Sequence, residues 1–400
     1  MSEPSALPVY AILPFVAMLL SIAVLPLWTP HWWEHNRNKL VVSAALGLPV
    51  LILYAFRKPG ALLHMGEDYV SFIVLLAGLF VISGGVLLRG DLTATPLVNS
   101  AFLAVGAMLA SAVGTTGASM LLIRPLLQTN RERTRRRHTV VFFIFLVSNV
   151  GGMLTPLGDP PLFLGYLEGV PFTWTLRLWP QWLVLTGALL LIYFVWDSIA
   201  YAREPLAALR RDRAQIEPLR LRGATNAIWL AGVILAVAFL RAPLRESVIV
   251  LLAAASLWRT PAPVRRANGF TWYPIIEVAA LFLGIFLTMI PALELLRLRG
   301  GELGVRTPAQ FFWAAGALSS FLDNAPTYLA FLALDRAWGW PRKWWACRGP
   351  FSPPSAWDRW RWEPTPISET PPTSWWRRSP TNPGSRCRAS SAICCGQVRS

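Results

Sequence analysis

Apolar runs near the length of a bilayer crossing recur along most of this chain, and they constrain its fold more than any other feature. About 20 such residues cross a bilayer. Lipid offers the backbone no hydrogen-bond partner, so the runs read as transmembrane helices. They fall at 8–28, 40–56, 69–88, 174–200, 227–240, 247–258 and 274–296. Charged residues make up only 14% of the 400, against roughly 25% in soluble domains. The net charge of +16 suggests nucleic acid at first sight. The arginines, however, sit between the runs, in 130–138, 203–222 and 259–266. That is the positive-inside pattern, which places all these segments in the cytoplasm and excludes a nucleic-acid face. No basic region precedes the first run, so it reads as a retained span rather than a signal peptide. The expectation is an all-α, multi-pass protein of a cell membrane, a bacterial inner membrane on this reading, in contact with lipid.

One run is interrupted. Residues 139–167 are apolar at both ends, but Ser148-Asn149-Val150-Gly151-Gly152-Met153-Leu154-Thr155-Pro156-Leu157-Gly158-Asp159-Pro160-Pro161 lies between them. Irregular backbone at membrane depth survives only where it is buried in protein or lines a cavity. A carboxylate there is costly, and its default reading is functional. The stretch therefore reads as half of an ion and substrate site. Helix capping by Asp159 ahead of Pro160 is the alternative role for that acid.

Two further runs have the wrong length. Residues 96–127 exceed one span and fall short of two, and their middle reads Gly114-Thr115-Thr116-Gly117-Ala118-Ser119. Small and hydroxylated residues suit the tip of a re-entrant hairpin, which must enter from the cytoplasm because 130–138 follows it. A single long, tilted helix kinked at glycine is the alternative. Residues 308–334 repeat the logic around Ser319-Ser320-Phe321-Leu322-Asp323-Asn324-Ala325-Pro326-Thr327, entering from the other side. The expected organisation is a first repeat at 1–200, a basic cytoplasmic linker at 201–225 and a second repeat at 226–340. These form the inverted-topology layout that places a site at the midplane. His31, Glu34 and His35 have the spacing of one zinc-protease class, but a Trp-rich interfacial belt explains them better. No enzyme is expected.

Asn149-x-Gly151-Gly152-x-x-Thr155-Pro156-x-Gly158-Asp159-Pro160-Pro161 resembles the signature of the ion transporter superfamily, and Ser319-x-x-x-Asp323-Asn324-Ala325-Pro326-Thr327 resembles its second-half hairpin. Within it the chain is most similar to citrate-transport and sodium:proton antiporter proteins over 10–340. The resemblance implies a cation site near Thr115, Thr116, Ser119, Asn149, Gly151, Gly152 and Thr155, and a second near Asp323, Asn324 and Thr327. Asp159 and Asp323 are its candidates for Na+ or H+ coupling, since hard cations take oxygen ligands. No cofactor is expected beyond the coupling ion. The expected function is a sodium:proton antiporter-like secondary transporter. Citrate or dicarboxylate symport with a cation is the alternative, as is an inactive truncated member. Family members are often dimers, so a homodimer is implied.

After 340 the texture changes. Residues 341–400 are crowded with Arg, Trp, Pro and Ser and carry Cys347, Cys387, Cys394 and Cys395, the chain's four cysteines. The second broken helix that the repeat requires is missing. Codons for 367–378 can be chosen so that a shifted frame reads LGNAPNFMVE, which resembles that helix. The tail thus reads as out of frame.

Overall fold

The computed structural model describes residues 8–214, 216–305, 307–320 and 324–337. Among them, seven helices are long and apolar enough to cross a membrane. The chain forms α1 (Leu13–Trp28), a short α2 (Pro30–Trp33), α3 (Asn36–Arg57) and α4 (Pro59–Ser83). A strand β1 (Leu87–Asp91) precedes α5 (Pro96–Val113), α6 (Thr115–Thr129), α7 (Arg137–Phe143), α8 (Pro160–Leu167) and α9 (Trp179–Ala202). After α10 (Leu206–Ala214) and β2 (Glu217–Arg222) come α11 (Asn226–Phe239), α12 (Leu244–Arg259), α13 (Ala262–Ala267) and α14 (Tyr273–Arg299). The described chain ends with α15 (Pro308–Ser319) and α16 (Asn324–Ala337).

The run expected at 69–88 is displaced. Its helix, α4, starts at Pro59 and stops at Ser83. Proline is well placed in a first turn, where its missing N–H has no partner to lose. The Gly84-Gly85 pair then turns the chain out of the helix. Gly85 does not serve a helix–helix seam. A Cβ on it would lie 2.7 Å from Asn226 Nδ2, and that amide donates to the Gly85 carbonyl at 3.0 Å.

A frame forms around α3 and α14, which run side by side in the same direction. Near their starts the buried Lys39 donates to Glu277 at 2.6 Å. Near their ends the Tyr54 hydroxyl donates to Glu294 at 2.8 Å. Glu277 is thus held by a lysine of the neighbouring helix. Helices α1, α4, α11 and α12 close the core around Met18, Phe72, Leu75, Val233, Ile249 and Phe286. The ring of Phe72 sits 4.7 Å from that of Phe282.

The expectation of helix throughout misses one element. β1 and β2 pair as an antiparallel ribbon, Leu88 opposite Leu221, with an irregular register between Arg89 and Asp91. The arginine-rich segments gather around this ribbon. Leu92 N–H donates to Thr129 Oγ1 at 3.3 Å, where 130–138 begins. Thr134 and Arg135 N–H donate to Glu204 at 3.1 and 2.8 Å. Arg265 donates to the Val81 carbonyl at 2.6 Å, and Asn268 donates to Val86 at 2.9 Å. One end of the bundle therefore collects the basic segments, as a positive-inside protein requires.

Candidate functional site

The site begins at a glycine. Gly114 separates α5 from α6 and has φ +84°, a backbone region that side chains rarely tolerate and glycine adopts freely. The chain reverses there. Asn99, near the start of α5, and Asn130, just past the end of α6, exchange amide hydrogen bonds at 2.9 and 2.8 Å. These helices therefore form an antiparallel hairpin, and the single kinked helix does not occur.

The base of the hairpin is pinned by buried charge. Arg133 donates to Asp197 of α9 at 3.0 Å, and its other terminal nitrogen lies 2.7 Å from the same carboxylate. His138 Nε2 and Asn99 reach the same carboxylate at 2.7 and 3.2 Å. Sequence reasoning missed this cluster because Arg133 lies in a basic segment that reads as solvated. The available signal was Asp197 itself, an acid inside an apolar run, which calls for a partner.

The tip of the hairpin locks into the interrupted helix. After α7 the chain passes through a π turn over Ile144–Asn149 and a tight 3-10 turn over Val150–Leu154. It is extended at Thr155 and resumes as α8 at Pro160. Glycines make the interlock possible. A Cβ on Gly151 would lie 2.8 Å from that of Ala110, and one on Gly152 would lie 2.7 Å from Thr115 Cγ2. Thr115 N–H donates to the Gly158 carbonyl at 2.9 Å. The Ser111 hydroxyl donates to the Gly151 carbonyl, and the Thr155 hydroxyl donates to the Ser111 carbonyl. Ser119 and Ser148 share a hydrogen bond at 2.8 Å. Backbone groups freed by the break are thus met by hairpin hydroxyls and amides, which is how a polar interruption persists without water.

A cavity of about 70 Å³ lies where tip and break meet the frame. Thr115, Thr116, Gly158 and Pro160 line it, opposite Leu79 of α4 and Val278 of α14. Thr115 is buried and Thr116 exposed. Gly151 and Gly152 are buried in the interlock, and Thr155 is half-buried beside Ser111. Ser119, Asn149 and Asp159 do not line the cavity. Asn149 is exposed at the junction of the two irregular turns. Asp159 is half-buried at the N-cap position of α8, but its side chain makes no cap hydrogen bond to that helix. The capping role is therefore not realised.

The second hairpin is placed by different contacts. Thr307 and Gln310 form a reciprocal capping box at the start of α15, satisfying two N–H groups at once. Phe311 and Phe331 bring α15 alongside α16 at 6.0 Å. The Ser319 hydroxyl donates to Asn324 Oδ1. Asn324 is exposed and Thr327 buried. Asp323 and the 341–400 tail lie outside the described residues. Helix α16 packs on α8, where Tyr328 occupies the space a Cβ on Gly165 would need.

Among the described residues, no group of three or more His, Cys, Asp and Glu side chains is placed to hold a metal. His31, Glu34 and His35 are all exposed. His35 Nδ1 lies 3.2 Å from the His31 carbonyl, and the Glu34 carbonyl accepts from Tyr273. Away from the spans, burial together with the charges of Glu132 and Asp212 pushes the Asp91 carboxyl up from its ordinary range.

These features define a multi-pass helical membrane protein whose polar groups collect at interrupted helices inside an apolar bundle. The family described as "Putative citrate transport" matches residues 4–340, and the chain belongs to it. Membership sets the protein among transporters and not among enzymes. No curated protein and no solved structure matches the chain. The family match stops where the Arg- and Trp-rich tail begins.

Proposed function

We propose that this protein moves a small carboxylate of the citrate class across the membrane, coupled to H+ or Na+. The observation that carries this reading is the interlock of Gly114-Thr115 with Gly152 and Gly158, found in a chain of a citrate-transport family. Family membership favours carboxylate:cation symport over the sodium:proton antiport first expected. The chemistry agrees. The first turns of α6 and α8, at Thr115-Thr116 and Pro160, border one cavity. Positive helix ends of this kind receive anionic groups in transporters.

In this reading 1–200 and 226–340 are inverted repeats joined by the linker 201–225. The α5–α6 hairpin enters from the arginine-rich face, and the α15–α16 hairpin enters from the other. Thr115, Thr116, Ser119, Asn149, Gly151, Gly152 and Thr155 form the first ion and substrate region. Asp323, Asn324 and Thr327 form the second, and Asp159 and Asp323 are the coupling acids. The protein acts in a bacterial inner membrane as a homodimer. In this reading the tail 341–400 replaces the second broken helix through a frame shift.

Uptake of labelled citrate into proteoliposomes tests the proposal, with the chain as it stands compared with a frame-corrected form. Citrate accumulation driven by a proton or sodium gradient is expected from the corrected form and loss of it from the native chain. Failure of both to take up citrate or a dicarboxylate overturns the reading. Sodium-driven proton movement without carboxylate would restore the antiporter assignment.

A further inference from the structure

A second, larger cavity lies at the other end of α4, away from the ribbon. It encloses about 300 Å³ between α4, α8, α14 and α16. Its floor is apolar, built by Leu164, Phe286, Met289 and Leu329. Its charged lining is Lys58, His64, Asp68, Glu168, Glu294 and Arg297. These charges are unevenly matched. Glu294 is held by both Lys58 and Tyr54. Glu168 has Arg297 at 3.5 Å. Among the described residues Asp68 has only His64 within ion-pair range, at 3.7 Å, and that imidazole is 71% exposed.

The groups facing Asp68 are accounted for from each side. Its own helix presents His64 and Glu67, α8 presents Glu168, and α12 presents Arg245. Arg245 is already engaged. It donates to Glu246 and lies over the rings of Phe163 and Tyr166 at 5.6 and 5.5 Å. Apart from the exposed His64, the cavity lining has three carboxylates, Asp68, Glu168 and Glu294, against the two cations Lys58 and Arg297. No metal-holding group occurs among the described residues. A carboxylate beside like charges over an apolar floor has one small cation it can always accept, the proton.

The position also bears on the two polar breaks. Two walls, α8 and α16, begin at Asp159-Pro160 and at Asn324, directly after the two polar breaks. Asp68 therefore shares its cavity with the end of α8, at Leu167, and with Leu329 of α16.

We propose that Asp68 is the proton-loading residue on the face opposite the ribbon. Its carboxylate oxygen takes a proton from water at the cavity mouth, forming one O–H bond, and returns it to water later in the cycle. This inference rests on the proton-coupled form of the reading above.

The test uses the frame-corrected chain in proteoliposomes, the parent beside Asp68→Asn and Asp68→Glu, each checked for monodispersity. D68N is expected to lose citrate accumulation driven by a pH gradient, down to the level of protein-free liposomes. It should keep citrate–citrate exchange, which moves no net proton. D68E should keep both, with a displaced pH profile. Accumulation retained in D68N overturns the proposal, and so does joint loss of accumulation and exchange in monodisperse D68N. If the corrected parent moves no citrate, the functional reading fails by itself. Asp68 is then judged by infrared pH titration of the purified chain. A protonated-carboxyl band present in the parent and absent in D68N supports proton binding at Asp68. The same band in both overturns it.

Discussion

The two helical hairpins are held in different ways. The first turns at one glycine, and its tip is buried beneath a segment from further along the chain, through Thr115 and Gly158. Its base is clamped by Arg133, Asp197 and the Asn99–Asn130 pair. The second has a capping box, an aromatic contact and an exposed Ser319–Asn324 hydrogen bond of its own, and its α16 packs on α8 and α14. A hairpin held by distant parts is a fixed wall of the site. One whose second helix packs on α8 and α14 shares its position with theirs.

The largest expected effect lies in the first interlock. Gly158→Ala drives a methyl group into the Gly152 carbonyl, with no flexible side chain to yield. A loss on the order of 3 kcal/mol or more is expected, enough to remove folded protein. Fluorescence-detected size exclusion reads it out, and a monodisperse variant with unchanged Tm breaks the comparison. Next comes the clamp. Arg133→Ala leaves Asp197 buried without its main partner, at a cost of about 3–5 kcal/mol, measured by thermal unfolding. The matching change in the second hairpin, Ser319→Ala, removes an exposed hydrogen bond and should stay within about 0.5 kcal/mol. Equal losses at the two places would erase the distinction.

Labelling sharpens the geometry at the tip. With Cys347, Cys387, Cys394 and Cys395 replaced, Thr116→Cys should react with a maleimide and Thr115→Cys should not, since only Thr116 is exposed. The smallest effect belongs to the ribbon. Asp91 binds its proton more tightly folded than unfolded. The stability it contributes is therefore full at acid pH and is lost as pH rises through the raised value. Asp91→Asn should remove that trend, so the Tm difference, wild type minus variant, declines with rising pH.

Much of this arrangement was legible in the residues. The apolar runs located the helices, with α4 displaced because Pro59 could begin it earlier than the hydropathy suggested. Gly114 and the 148–161 stretch announced where helices stop. The ribbon was not legible, because β1 and β2 are far apart in sequence and neither is apolar enough to stand out. The site was half legible. Thr115, Gly151, Gly152 and Thr155 meet, but of the described candidates only Thr115 and Thr116 line the small cavity. A motif names the residues at a break but not the side toward which each points.

By itself the sequence determined that this chain lives in lipid, where its helices break, and which end carries the arginines. Those are demands of bilayer thickness, backbone satisfaction and surface charge, each answered by a short stretch of residues. Only the tertiary structure decided that Asn99 meets Asn130, that Arg133 reaches Asp197, and that Asp68 shares a cavity with Glu168 and Glu294. Those pairings join residues from separate helices, and their partners are selected by packing rather than by any local pattern.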